Sequence, residues 1–139
     1  MATKHAVEGL FAETANGPRL LGSRCATCNT PYFPKSPVCH HPNCDASKIE
    51  DAEFGPKGKL WSFTFQVFPP PPPAKYDEPF KPYPMGFIDL DDGLRVLGQV
   101  AIDDMRKVAV DMPVEMVIAP LYHEENGDEV VTWKFKPAE

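Results

Sequence analysis

A chain of 139 residues with 17 prolines, 4 cysteines and a formal charge of −6 has room for one domain or two small modules. Its apolar content of 42% and aromatic content of 11% suffice for a core and exclude simple disorder, and no apolar run reaches the roughly 18–20 residues that span a bilayer. The acidic surplus repels phosphate backbones and disfavours nucleic acid as a partner; the N-terminus lacks a signal-peptide core, so a cytoplasmic protein is expected.

At the N-terminus, Val7, Leu10 and Phe11 stand at i, i+3 and i+4, and Asn16-Gly17 follows as a stop signal. This spacing predicts a short helix over His5–Ala15, docked on the body of the protein or on a partner because so short a helix is not stable alone. All four cysteines then fall within residues 19–44. After an acidic bridge, Leu60–Phe68 alternates with period two, placing Trp61, Phe63, Phe65 and Val67 on one face of a half-buried strand. Eight of the 17 prolines lie between Pro69 and Pro84, including the unbroken run Pro69–Pro73. Such a run cannot donate ladder hydrogen bonds and must be a loop. It reads as a stiff spacer or as a docking surface.

Met85–Leu90 reads as a second strand, Asp91-Asp92-Gly93 as a turn and Leu94–Ile102 as a third strand, where Gly98 marks a bulge or tight bend. Asp103–Val108 has room for one helical turn. Val114–His123 and Glu129–Lys136 are the fourth and fifth strands, joined through Asn126-Gly127, with Pro120 pointing to an edge or bulge. The fold class expected is mostly β: an N-terminal helix over 1–18, a zinc ribbon over 19–53, and a five-stranded OB-type barrel over 54–139 with the Pro-rich excursion 69–84. An SH3-like barrel is the alternative. The charge divides along the same line. Residues 1–44 carry 4 basic and 2 acidic groups, residues 45–139 carry 10 and 18.

Cys25-Ala-Thr-Cys28 and Cys39-His-His-Pro-Asn-Cys44 form two knuckles separated by a short hairpin, the spacing of a zinc ribbon. Each knuckle aims two thiolates at one ion, and four complete a tetrahedron. Asn29 stands where such knuckles often place glycine, and Asn tolerates positive φ. Disulfides are the competing reading and do not suit a cytoplasmic chain. The second gap is four residues long, so His40 or His41 in place of one thiol stays open, as does iron in place of zinc. A closed four-ligand site has a structural role, stapling a module too small to bury enough apolar surface.

With all four cysteines on a metal, no thiol remains as a nucleophile. No Ser-His-Asp arrangement is legible, no Gly-rich phosphate loop is present, and Asp89, Asp91 and Asp92 sit at a turn. No catalytic residue is therefore expected, and the chain reads as a binding or scaffolding protein.

Several motifs in order carry a family resemblance: Leu21-Gly-Ser-Arg-Cys25-Ala-Thr-Cys28, Tyr32-Phe-Pro34, Cys39 and Cys44, Gly58-Lys-Leu-Trp-Ser-Phe-Thr64, Pro82-Tyr-Pro84, Phe87-Ile-Asp-Leu-Asp-Asp-Gly93 and Val131-Thr-Trp-Lys-Phe135. The chain resembles the acyl-CoA-associated OB-fold proteins that carry a rubredoxin-like zinc ribbon, long classed as a domain of unknown function. Within that family, the proline run and Tyr76–Tyr83 are most similar to the small subunits of benzoylsuccinyl-CoA thiolases, which work in anaerobic toluene breakdown. The resemblance implies a non-catalytic subunit with structural Zn2+ on Cys25, Cys28, Cys39 and Cys44. Its expected partner is a thiolase-fold subunit that holds the catalytic groups and shares a CoA-thioester site; a CoA-ester aldolase is the alternative partner. Under this reading Pro71, Phe80 and Tyr83 are candidate partner contacts, and Arg24 and Lys35 are candidates for a CoA phosphate. The chain departs from the family in the long Cys39–Cys44 gap and in Asp111-Met-Pro113, where many members have glycine. A single-stranded nucleic-acid binder is the second reading, and an independent hydrolase or aldolase the third.

Overall fold

The computed structural model describes residues 2–44 and 47–138. Ten strands follow one another: β1 (Thr3–His5), β2 (Phe11–Thr14), β3 (Gly17–Cys25), β4 (Pro31–Tyr32), β5 (Ile49–Phe54), β6 (Lys57–Gln66), β7 (Tyr83–Leu90), β8 (Arg95–Val100), β9 (Pro113–His123) and β10 (Glu129–Pro137), with a single 3-10 turn at Met105–Lys107.

The helix expected over His5–Ala15 is not formed; the segment contributes β1 and β2 instead. Asn16-Gly17 is the turn of a hairpin and not a helix stop. Gly17 has φ 99°, and the Thr14 hydroxyl donates to Gly17 O at 2.8 Å while accepting from Asn16 N–H at 3.1 Å. This turn sets Phe11 opposite Leu20, and both are buried. The i, i+3, i+4 stripe is thereby split, because Val7 stays exposed. A β-turn chemistry with a good cross-strand apolar pair outcompetes a helix of under four turns.

In the small sheet, β3 pairs with β2, with β4 and with β5, all antiparallel. The larger sheet runs β1-β10-β8-β7-β6-β9, and the additional β10–β9 pairing closes β6 to β10 into a five-stranded barrel. Closure removes the free edges that an open sheet exposes. β1 lies parallel to β10 at the end that β8 leaves unpaired.

The strand expected at Leu60–Phe68 forms as β6, but the face is not the one that simple alternation gives. Leu60 pairs with Ile88 and Ser62 with Phe87, so Trp61 is an extra residue in a bulge. A bulge re-aims the side chains around it. Leu60 is fully buried and Trp61 is turned out to solvent, while Phe63 packs partly on the core and Phe65, 5.7 Å from it on the same face, is 41% exposed toward the end of the strand. A second bulge lies at Leu121, between the pairs Val130–Tyr122 and Val131–Pro120, where Pro120 breaks the ladder. Gly98 sits in regular β8 pairing and serves close approach. A Cβ there would lie 2.8 Å from the Phe135 ring.

One core serves both sheets. Phe11, Leu20 and Phe54 from the small sheet are buried in the same cluster as Leu60, Ile88, Val114, Met116 and Phe135 of the barrel. Phe33 and Trp133, edge to face at 5.5 Å, extend it between the two.

Candidate metal centre and adjoining surfaces

The four cysteines converge. Their sulfurs all lie within 4.8 Å of one another, with Cys25 Sγ to Cys44 Sγ at 3.8 Å and Cys28 Sγ to Cys39 Sγ at 3.4 Å. A tetrahedron of thiolates at the usual Zn–S distance of about 2.3 Å has edges of about 3.8 Å, so the donor set fits Zn2+. The first knuckle is closed by Asn29 N–H donating to Cys25 O at 2.7 Å and by Cys25 N–H donating to Thr30 O at 3.0 Å. Asn29 takes φ 66°, the conformation expected of it from the sequence. In the second knuckle Cys44 N–H reaches back to His41 O at 3.1 Å, which closes the long gap.

Backbone amides surround the thiols. The N–H groups of Lys48 and Cys28 hold the Cys25 thiol down at about 6 against burial. The Thr30 hydroxyl, at 3.1 Å, and the Thr30 amide lower Cys28 in the same direction. The Tyr32 hydroxyl donates to Cys39 Sγ at 3.3 Å, and its oxygen accepts from His40 N–H at 2.6 Å. Such donors stabilise thiolate, the form that binds metal. The histidines point elsewhere: His40 Nε2 meets Ser36 Oγ at 3.1 Å, and His41 Nδ1 accepts from Asn43 N–H at 3.2 Å. A closed set of four protein ligands has no open position for water or substrate, so the ion it suits is structural.

The other sequence candidates are scattered. Arg24 bridges the small sheet to the barrel, donating to Asn29 O at 2.8 Å and to Asp92 O at 2.9 Å, with its guanidinium over the Phe54 ring. Lys35 is exposed and pairs with Asp51 at 3.2 Å. Pro71 lies exposed on the excursion, whereas Phe80 and Tyr83 are half-buried. Tyr76, Phe80 and Tyr83 form a chain of rings with centroids 5.5 and 6.2 Å apart. The excursion is clasped to the barrel by Asp77, which accepts from His123 N–H at 2.6 Å and meets His123 Nδ1 at 2.7 Å.

One surface escaped the sequence reading. Trp61 on β6, Phe87 on β7 and Leu97 on β8 are 49%, 43% and 46% exposed. Trp61 and Phe87 have centroids 6.3 Å apart, Phe87 pairs with Leu97 across the ladder, and the Arg95 guanidinium lies 3.8 Å over Trp61, held from beyond by Asp89. These side chains adjoin one another on the outer face of β6–β8. Strict alternation along Phe87-Ile88-Asp89-Leu90 was the available signal for the outward Phe87; the bulge at Trp61 left none.

Two family models match successive parts of the chain. Residues 15–50 match the family described as the ChsH2 rubredoxin-like zinc ribbon domain, and residues 51–119 match the ChsH2 C-terminal OB-fold domain. A DUF35 domain-containing scaffold protein of Pyrococcus furiosus is 34% identical over 86% of this chain and 83% of its own length. The benzoylsuccinyl-CoA thiolase subunit BbsA of Thauera aromatica is 29% identical over 86% of this chain and 76% of its own. Among solved structures, an Ltp2–ChsH2(DUF35) aldolase superposes with TM-score 0.64 and 25% identity, covering 87% of this chain and 86% of that one.

Proposed function

This chain belongs to the DUF35 family, a ChsH2-type zinc ribbon joined to an OB fold, and from that premise we propose that it is a non-catalytic accessory subunit of a complex acting on CoA thioesters. The observation that carries the reading is the apolar outer face of β6–β8. Aromatic rings left half exposed on an otherwise acidic protein are what a lasting protein interface covers. The occupant is the catalytic subunit, and the relatives named for a thiolase and for an aldolase support a partner of that kind. Within this reading the partner is a thiolase-fold subunit, and the relative from Thauera aromatica favours a benzoylsuccinyl-CoA thiolase type of reaction. The zinc ribbon fixes the two knuckles at the end of the small sheet. The excursion, with Pro71 at its exposed tip, is the second contact. Lys35, exposed and paired with the exposed Asp51, is the better of the two candidates for a CoA phosphate. Arg24 is already committed to two carbonyls.

Capture of the partner from the native host tests this. Recovery of a thiolase-fold chain supports the proposal, and recovery only of unrelated chains sinks it. Trp61→Glu with Phe87→Glu weakens that capture by about 30-fold or more, the equivalent of a 2 kcal/mol hot spot; full retention moves the interface elsewhere. A single-stranded nucleic-acid reading has one observation in its favour, since OB folds bind strands on the face that carries Phe87 and Leu97. The 18 acidic against 10 basic groups of residues 45–139 oppose it, and a salt-dependent oligonucleotide shift is its signature.

A further inference from the structure

Between the excursion and the end of the barrel lies a cleft of about 420 Å³, within the size range of small-molecule sites. One wall is the ring cluster Tyr76, Phe80 and Tyr83; the other is Gln99, Leu121 and Lys134 of the barrel. Lys134 stands on β10 opposite Gln99 of β8. It is half-buried, and among the described residues no carboxylate lies within ion-pair distance of it. Loss of water around the ammonium pulls its pKa down, with no opposing charge to restore it. Lys75 and Lys81 also line the cleft. Of the acidic groups there, Asp77 is engaged by His123 and Glu78 is exposed. An acidic protein thus places three lysines around an aromatic-walled hollow, and the most buried of them has no counter-ion.

We propose that this cleft is a binding site for a small organic acid, with the carboxylate on Lys134 and an aromatic or alicyclic body against Phe80 and Tyr83. A half-buried ammonium without a partner gains most from an anion that also fills the space around it. Gln99 supplies an amide at the same point to take the second carboxylate oxygen. The site does not use the zinc centre, and the isolated full-length chain tests it apart from the partner-subunit reading.

The probe is phenylacetate, titrated into the zinc-loaded protein by calorimetry and by side-chain NMR. Phenylacetamide serves as the uncharged analogue and inorganic phosphate as an anion without a body. Phenylacetate is expected to shift Gln99, Phe80 and Lys134 resonances and to bind at least tenfold tighter than phenylacetamide, and phosphate is expected not to displace it. Lys134→Met weakens it at least tenfold, whereas Lys59→Met, outside the cleft, leaves it unchanged. Equal binding of acid and amide, displacement by phosphate, absence of shifts at millimolar probe, or full affinity in a folded Lys134→Met variant each overturns the proposal.

Discussion

Single residues do the joining in this molecule. Arg24 is the clearest case, because two of its N–H groups end on carbonyls that belong to the first knuckle and to the β7–β8 turn. Replacing it with Met removes both donors together with the guanidinium over Phe54. Hydrogen bonds from charged groups contribute roughly 1.5–3 kcal/mol each to stability, so Arg24→Met, which loses two, is expected to cost about 3 kcal/mol or more. Urea titration measures it, and an unchanged midpoint would show that water replaces both bonds. Gly98 makes the opposite point. With Phe135 against it, Gly98→Ala overpacks the barrel and costs about 1–3 kcal/mol, read in the same titration; a neutral result means the ring can shift.

At the level of elements, the excursion is a strap held by a pH-sensitive clasp. Asp77 raises the His123 pKa by its hydrogen bond, with the charges of Asp77 and Glu129 adding to it. The His123 ring and its backbone N–H lower Asp77. The contribution of His123 is fully present below the ordinary imidazole value of about 6.5 and is lost as pH rises through the raised value. That of Asp77 is present above the ordinary carboxylate value of about 3.9 and is lost as pH falls through the lowered one. The strap is therefore held best between these ordinary values. In NMR titrations His123 should titrate above the ordinary value, and Asp77→Asn should bring it back; an ordinary value in the unmodified protein removes the clasp. The strands themselves were legible from period-two alternation and turn residues, since β7 to β10 lie where Asp91-Asp92-Gly93 and Asn126-Gly127 bound them. The N-terminal segment was not, because Asn-Gly serves a helix end and a hairpin equally and only the pairing of Phe11 with Leu20 decides between them. Nor was the outward turn of Trp61 legible, since a bulge has no pattern of its own when the extra residue is itself apolar. The cysteine cluster was legible to the residue, because knuckle spacing is local geometry; the sites on Arg24 and on the strap depend on elements distant in sequence.

On the scale of the whole molecule, the metal and the core divide the work of holding the fold. Among its described residues, the segment between β3 and β5 has few buried apolar groups. Tyr32 and Phe33 are only partly covered, and Val38 is exposed, so the four thiolates are what orders it. The strands that flank it are fixed differently. Leu20 of β3 and Phe54 of β5 are fully buried in the core that includes β6 to β10, and β3 keeps its ladder with β5 from Leu20 to Cys25. Removing zinc with a chelator should consequently loosen the chain in a graded way. Amide hydrogen exchange is expected to rise steeply for Thr30 to Cys44, moderately for the ends of β3 and β5 next to the knuckles, and little for β6 to β10. Cys28→Ser should reproduce the pattern and release the metal, because it removes one of four ligands while leaving the core untouched. Equal loss of protection across the barrel would show instead that the ion holds the whole fold. Retention of a full equivalent of zinc in Cys28→Ser would show that another residue completes the tetrahedron.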